Sequence, residues 1–386
     1  MGLGRVSGHK GHNSASVSLT QVQRPLLPTH AAIAPYLDRI DASRWYSNRG
    51  PLVWELEKRL GAQFGAEEFS VALLSNGTAA IEAAILAHAG AAPSERPLAL
   101  MPAYSFVATA QAAMRCGYTP FFLDVDPETW MLDPGALAFH PALERAGVVI
   151  TVAAYGKRPD IAAWEAFQDQ TGCPVVVDAA ASFEQFEREP GLISADLPVT
   201  LSLHATKAFS TAEGGAVLWR APKGWLRSVL ISNFGMSDAR RCEFDGFNGK
   251  LSDYHAAVGL AQLDQWGERR ARLAAVAECY QAAARAAGPL PGTLRTTPEI
   301  SGAYVLFDCN DDGVADRVCA RLAEAGIGSR RWYGRGLHLE PFLAARGHDD
   351  LPVTEALSAT HIGLPGAVDL TEGEITMVVD ILARTG

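Results

Sequence analysis

Between Phe69 and Trp219, short apolar runs alternate with longer stretches of helical period. The runs are Val71–Leu74, Leu98–Met101, Pro120–Leu123, Val148–Val152, Val175–Val177, Thr200–Leu203 and Ala216–Trp219. Most are continuous rather than alternating, as in strands buried on both faces of a mostly parallel sheet. Helical stretches at Ala79–Ala89, Val107–Cys116 and Ile161–Thr171 separate several of them. This β-α repetition predicts an α/β domain with helices on both sheet faces.

From Ser252 to about Ala287 the chain is rich in Ala and Leu, which predicts one long helix. Gly259 and Gly267 are its expected weak points, and Gly288-Pro289 ends it. Beyond it, a strand at Ala303–Asp308 and helices at Val314–Ala325 and Thr371–Ala383 predict a second, smaller α+β domain. The expected division is a polar, flexible tail over 1–24, a large domain over 25–265 and a small C-terminal domain over 266–386. The N-terminal part of the large domain has room to pack on the small one.

Composition narrows the function classes. Of 386 residues, 48% are apolar and 20% charged, an ordinary globular balance. The net charge of −10 argues against a protein whose main task is to grip nucleic-acid backbone. The first 23 residues carry basic groups but no apolar segment after them, so no secretory signal is expected. No apolar stretch approaches the ~20 residues that span a bilayer. The six cysteines form no C-x-x-C pair and the ten histidines show no ligand spacing. The expectation is a cytoplasmic protein with free thiols and no bound metal.

The candidate chemistry lies at strand ends. Asp178 closes the apolar run Pro174–Val177, where a carboxylate is costly unless a cation or a donor meets it. Lys207 follows the run Thr200–Leu203, in a turn that suits a Schiff-base lysine. Together they supply what pyridoxal phosphate needs, an amine for its aldehyde and a carboxylate for its ring nitrogen. Taken alone, the two residues are read more readily as a helix-capping Asp and a surface Lys. Ser75-Asn76-Gly77-Thr78 opens a helix after a strand, which makes a phosphate site or an ordinary N-cap. Ser202, five residues before Lys207, adds a hydroxyl. Phe106 stands at another strand-to-helix junction, where its ring suits a flat heteroaromatic partner or the core.

In this order the pieces resemble the DegT/DnrJ/EryC/StrS family of sugar aminotransferases, from about Arg24 onward. The matching text includes SNGTAAIEAAILA, PAYSFVATAQAAMRCGYTPFFLDVDPETWMLDP, VVVDAAASF, LSLHATKAFSTAEGGAV and GFNGKLSDYHAAVGLAQL. The resemblance implies the pyridoxal phosphate fold-type I, aspartate aminotransferase-like architecture. It implies that Lys207 bonds the cofactor and carries the proton, and that Asp178 keeps the ring nitrogen protonated. Phe106 is then the stacking ring. Gly77, Thr78 and Ser202 hold the phosphate, and Asn248 reaches it from a neighbouring subunit of a homodimer. The implied substrates are L-glutamate and a nucleotide-linked keto-sugar.

The form NGK at Asn248-Gly249-Lys250 most resembles the branch that aminates carbon 4 of dTDP-4-keto-6-deoxy-D-glucose. Arg49, Lys250, Arg331, Tyr333 and His338 are the expected substrate contacts, with Arg330 a further candidate for the phosphates. Two departures stand out. Ala181 takes a place where the family commonly has Gln or His, and Ala153-Ala154 precede Tyr155-Gly156 where relatives often have His. They leave open amination at carbon 3, another keto-sugar, or altered pyridoxal phosphate chemistry, with a non-enzymatic sensor as a further alternative.

Overall fold

The computed structural model describes residues 20–237 and 240–385. Eleven strands appear among them. In chain order they are β1 (Val71–Leu74), β2 (Leu98–Pro102), β3 (Thr119–Leu123), β4 (Ala146–Val152), β5 (Val175–Asp178), β6 (Val199–Ser202), β7 (Gly215–Leu218), β8 (Gly292–Arg295), β9 (Val305–Cys309), β10 (Gly347–His348) and β11 (His361–Leu364). Eight form one sheet in the order β1-β7-β6-β5-β4-β2-β3-β10. Only β7 runs against the rest, pairing antiparallel with both β1 and β6.

The continuous apolar runs follow from burial on both faces. Val175, Val177, Val199 and Leu201 enter one core cluster, whereas Val176, Ile150, Val217 and Leu74 enter another on the opposite face. Helix Gly77–His88 packs on the second face. Its run of small residues, Ala79, Ala80, Ala83 and Ala84, lets its backbone approach the sheet, and all four are buried.

The remaining strands form a small antiparallel sheet, β11-β9-β8. It shares a core with helices Asp312–Glu324 and Glu372–Ala383 and with the buried side of Trp266–Ala287. No described helix is long and apolar enough to cross a membrane, and the described cysteines are free.

Two expectations need correction. The long helix is two helices, Asp253–Asp264 and Trp266–Ala287, broken at Gln265 and not at a glycine. The buried Trp266 accounts for the break. Its ring meets Phe183 and Phe209 edge-on and its Nε1 donates to Glu187 at 3.0 Å. Gly259 instead serves close packing, since a Cβ there would lie 2.6 Å from Leu56.

The second correction concerns the tail, of which residues 1–19 lie outside the described residues. Residues 20–24 form a strap and not a free end. Thr20 N–H donates to the Gly326 carbonyl at 3.0 Å, and the Val22 carbonyl accepts from Gly366 N–H at 3.2 Å. Gln23 Nε2 reaches the Thr206 carbonyl at 3.3 Å. These bonds use backbone groups or a single amide, so the polar composition of the segment gives no sign of them.

Candidate active site

Because every strand of the large sheet but β7 runs the same way, the loops after β1, β2, β4, β5 and β6 gather at one sheet edge, where open α/β sheets place ligands. The register sets them side by side. Val152 pairs with Asp178, Asp178 with Thr200, and both Ser202 and Leu74 with Gly215.

Asp178 is only 4% exposed. Its carboxylate accepts from the Thr109 hydroxyl at 2.8 Å and from Ala180 N–H at 3.2 Å. Burial raises its pKa, against the pull of those two donors and of the nearby Lys207 charge. The Lys207 turn is shaped by backbone bonds from Lys207 N–H to the His204 carbonyl and from Ala205 N–H to the Ala212 carbonyl. Lys207 Nζ donates to the Tyr304 hydroxyl at 3.0 Å.

The loop after β1 enters helix Gly77–His88, whose N-cap Asn76 accepts from Ala79 N–H at 2.8 Å. Gly77 and Thr78 are the first two helical residues, so their N–H groups lie at the positive end of the helix dipole. A Cβ on Gly77 would lie 2.8 Å from that of Ser202, so only glycine allows the helix start to sit this close to β6. Phe106 caps the next helix, Val107–Arg115, and leaves 60% of its surface open.

One wall of this edge is apolar and aromatic. Ala154 and Ala181 share a buried cluster with Tyr104, Tyr155 and Tyr304, and Tyr333 packs against it. The Tyr333 hydroxyl accepts from Tyr155 N–H at 3.2 Å. Burial holds the phenol pKa of Tyr104, Tyr155 and Tyr333 well above its ordinary value, so these three stay neutral. Sequence reasoning missed Thr109 and Tyr304. Thr109 lies within a segment quoted above. Tyr304 is joined to Lys207 across 97 positions, with no local signal.

The expected substrate contacts separate into groups. Arg49 and Lys250 line one cavity of about 600 Å³ with Trp45, Trp54, Trp225 and Asn233. Arg49 is already engaged there. It makes a two-pronged pair with Glu57, one bond being 2.9 Å, and its guanidinium lies over the Trp54 ring at 4.5 Å. Burial drives the Glu57 carboxyl up to about 7 despite Arg49. Lys250 Nζ donates to Asn248 Oδ1 at 2.7 Å, and partial burial lowers its pKa. The exposed Asn248 sits on a loop joined to the helix-start segment through Ser75 N–H and the Gly249 carbonyl, 2.7 Å apart.

Tyr333 reaches the tyrosine wall, but Arg331 and His338 have other partners. Arg331 binds Asp316 at 2.8 Å and the Ala359 carbonyl at 3.0 Å, beside a separate cavity of about 550 Å³. His338 is buried with its Nε2 3.3 Å from Glu355. Arg330 lies over the Trp332 ring, 4.9 Å from its centroid.

The family model described as the DegT/DnrJ/EryC1/StrS aminotransferase family matches residues 29–383. Protein Rv3402c of Mycobacterium tuberculosis (strain ATCC 25618 / H37Rv) is 31% identical over 372 residues, covering 92% of this chain and 87% of its own. The dTDP-4-amino-4,6-dideoxy-D-glucose transaminase of Escherichia coli is 26% identical over 377 residues, covering 96% and 99%. The solved structure of DesI in the presence of its TDP-sugar product superposes with a TM-score of 0.82 at 29% identity, covering 96% of this chain and 93% of that one.

Proposed function

The chain belongs to the DegT/DnrJ/EryC1/StrS aminotransferase family, and from that premise we propose that it moves an amino group from L-glutamate to a nucleotide-linked keto-deoxysugar. Carbon 4 of dTDP-4-keto-6-deoxy-D-glucose is the acceptor we favour, supported by the Escherichia coli transaminase and DesI. The proposal includes pyridoxal phosphate as cofactor, a homodimer in which Asn248 serves the site of a second copy, and a cytoplasmic setting.

The observation that carries this reading is the pairing of Asp178 and Lys207 on neighbouring strand ends, next to the start of helix Gly77–His88. The residues suit the cofactor. Asp178 is a buried carboxylate with no direct cationic partner among its hydrogen bonds, a fit for a protonated ring nitrogen. The glycine-narrowed helix start offers N–H groups to a phosphate, with the Ser202 hydroxyl beside it. The open face of Phe106 suits the ring. Bound here, pyridoxal phosphate supplies an aldehyde that carries nitrogen and a ring that withdraws electrons from the substrate carbon.

The chain's own part is positioning and proton transfer. Lys207 Nζ holds the proton that leaves one carbon and returns it to another. Asp178 keeps a proton on the ring nitrogen, sustaining the electron withdrawal. Lys250 brings positive charge to the tryptophan-lined cavity, where Arg49 is tied to Glu57, and that charge suits an anionic nucleotide on an otherwise acidic protein.

Incubation of the full-length protein with pyridoxal phosphate, glutamate and a panel of nucleotide-linked keto-sugars tests this. The expected result is 2-oxoglutarate and an amino-sugar nucleotide by mass spectrometry, both lost in Lys207→Ala. No amino-sugar product from any keto-sugar overturns it. The alanine wall at 154 and 181 favours a second reading, pyridoxal phosphate chemistry other than transamination. Glutamate conversion without sugar amination points to that reading.

A further inference from the structure

We propose that Tyr304 is the positioning residue for Lys207, its phenol filling from the small sheet a polar role that residues 153, 154 and 181 do not supply. The inference rests on the reading of Lys207 as the reactive amine. Its geometric basis is the 3.0 Å bond from Lys207 Nζ to the Tyr304 hydroxyl.

The phenol is held firmly in place. Tyr304 immediately precedes β9 and is only 9% exposed. Its ring meets Tyr155 edge-on at 5.5 Å and Trp332 at 5.4 Å. Its N–H donates to the Ser301 carbonyl at 3.0 Å, and Ser301 N–H to the Tyr155 carbonyl at 2.9 Å. Glu184, six residues beyond Asp178, accepts from the Ser301 hydroxyl at 2.8 Å and from Gly302 N–H at 3.0 Å. The loop that carries the phenol is therefore clamped to the same segment that carries Asp178.

The clamp also lies against residue 181. A Cβ on Gly156 would fall 2.5 Å from the Ala181 carbonyl oxygen and 2.7 Å from Ser301 Cβ, so the three are in close packing. With alanine at 153, 154 and 181, that side of the wall offers the lysine no side-chain hydrogen bond. The Tyr304 hydroxyl offers one.

The chemistry suits the task. A lysine that takes a proton from one carbon and gives it to another alternates between ammonium and amine. A phenol both accepts and donates, so it can stay bonded to Nζ in either state. Holding Nζ within reach of the reacting carbon is worth much of the rate, because a misplacement of about 1 Å costs on the order of a hundred-fold.

Tyr304→Phe keeps the ring contacts and removes the bond. The test has two arms. In the first, full-length protein without added cofactor is treated with an amine-selective acylating reagent, and modification at Lys207 is followed by peptide mass spectrometry. The expected result is a change in Lys207 labelling rate of about three-fold or more, the scale of one hydrogen bond, with other lysines unaffected. In the second arm kcat falls roughly ten- to a hundred-fold, while the KM for glutamate stays within about two-fold.

Unchanged labelling or unchanged kcat overturns the proposal. If Tyr304→Phe fails to fold, 3-fluorotyrosine at 304 keeps the ring in place and perturbs the same hydroxyl, and unchanged labelling there overturns it equally. Failure of borohydride to fix pyridoxal phosphate on wild-type Lys207 counts against the aminotransferase reading instead, and the labelling arm still reports on Tyr304.

Discussion

Thr109 donates its hydroxyl to Asp178 Oδ2 across 2.8 Å, linking the helix after β2 to the end of β5. The bond favours the ionised carboxylate that burial opposes. Ser105 lies 2.8 Å from the same hydroxyl and shares the network. Thr109→Val removes a donor to the charged form, so the Asp178 pKa rises further. The acidic limb of kcat against pH then moves to higher pH. Asp178→Asn removes the charge altogether and lowers kcat on the order of 10²- to 10⁴-fold. A pH profile of Thr109→Val that superposes on wild type refutes the assigned link.

Gly77 and Ser202 make a second test. Alanine at 77 places a Cβ 2.8 Å from that of Ser202, closer than such atoms approach, so the helix start or β6 must move. The proposed phosphate donors move with it. Losing one charge-assisted bond raises the dissociation constant for pyridoxal phosphate about ten-fold or more. Fluorescence titration of the Gly77→Ala protein measures this, and wild-type affinity excludes the helix start as the phosphate site.

Phe106 separates binding from stability. A ring 60% exposed contributes little to the core, so Phe106→Ala leaves the melting temperature within about 2 °C of wild type. If the ring stacks on the cofactor, its loss weakens pyridoxal phosphate binding by up to about ten-fold. A large drop in melting temperature with unchanged affinity assigns Phe106 to packing.

Strand ends and turn residues explain which parts were legible in the sequence. Val175–Val177 followed by Asp178 reads as a buried strand ending in a carboxylate, and that is what β5 is. The stretch Ile161–Thr171 is bounded by the N-cap Asp160 and by the left-handed Gly172, and the helix has those limits. Tertiary pairings left no such marks. Arg49 reads as a free cation for phosphate, but Glu57, eight residues on in another element, binds it on two prongs. Gln265 breaks a helix-favouring stretch because Trp266 is drawn into the core among Phe183 and Phe209. Tyr304 lies far from Lys207 in sequence, and tertiary contacts of its loop, the Glu184 clamp among them, bring them together.

The Arg49–Glu57 pair carries the last prediction, and its sign follows from burial. Glu57 accepts from Leu73 N–H at 2.9 Å as well as from Arg49, yet burial outweighs both and raises its pKa from 4.5 to about 7. A carboxyl with a raised folded-state pKa contributes stability that is fully present below the unfolded value. That stability is lost as pH rises through the folded value. Between about pH 4.5 and 7 the wild type should therefore lose on the order of 3 kcal/mol from this one group. Glu57→Gln removes the titration and flattens that part of the curve relative to wild type, read by denaturant melts at successive pH values. Arg49→Met removes the charge that holds the Glu57 pKa down, so that pKa rises further and Glu57 is protonated at neutral pH. Parallel pH curves for wild type and Glu57→Gln refute the raised Glu57 pKa.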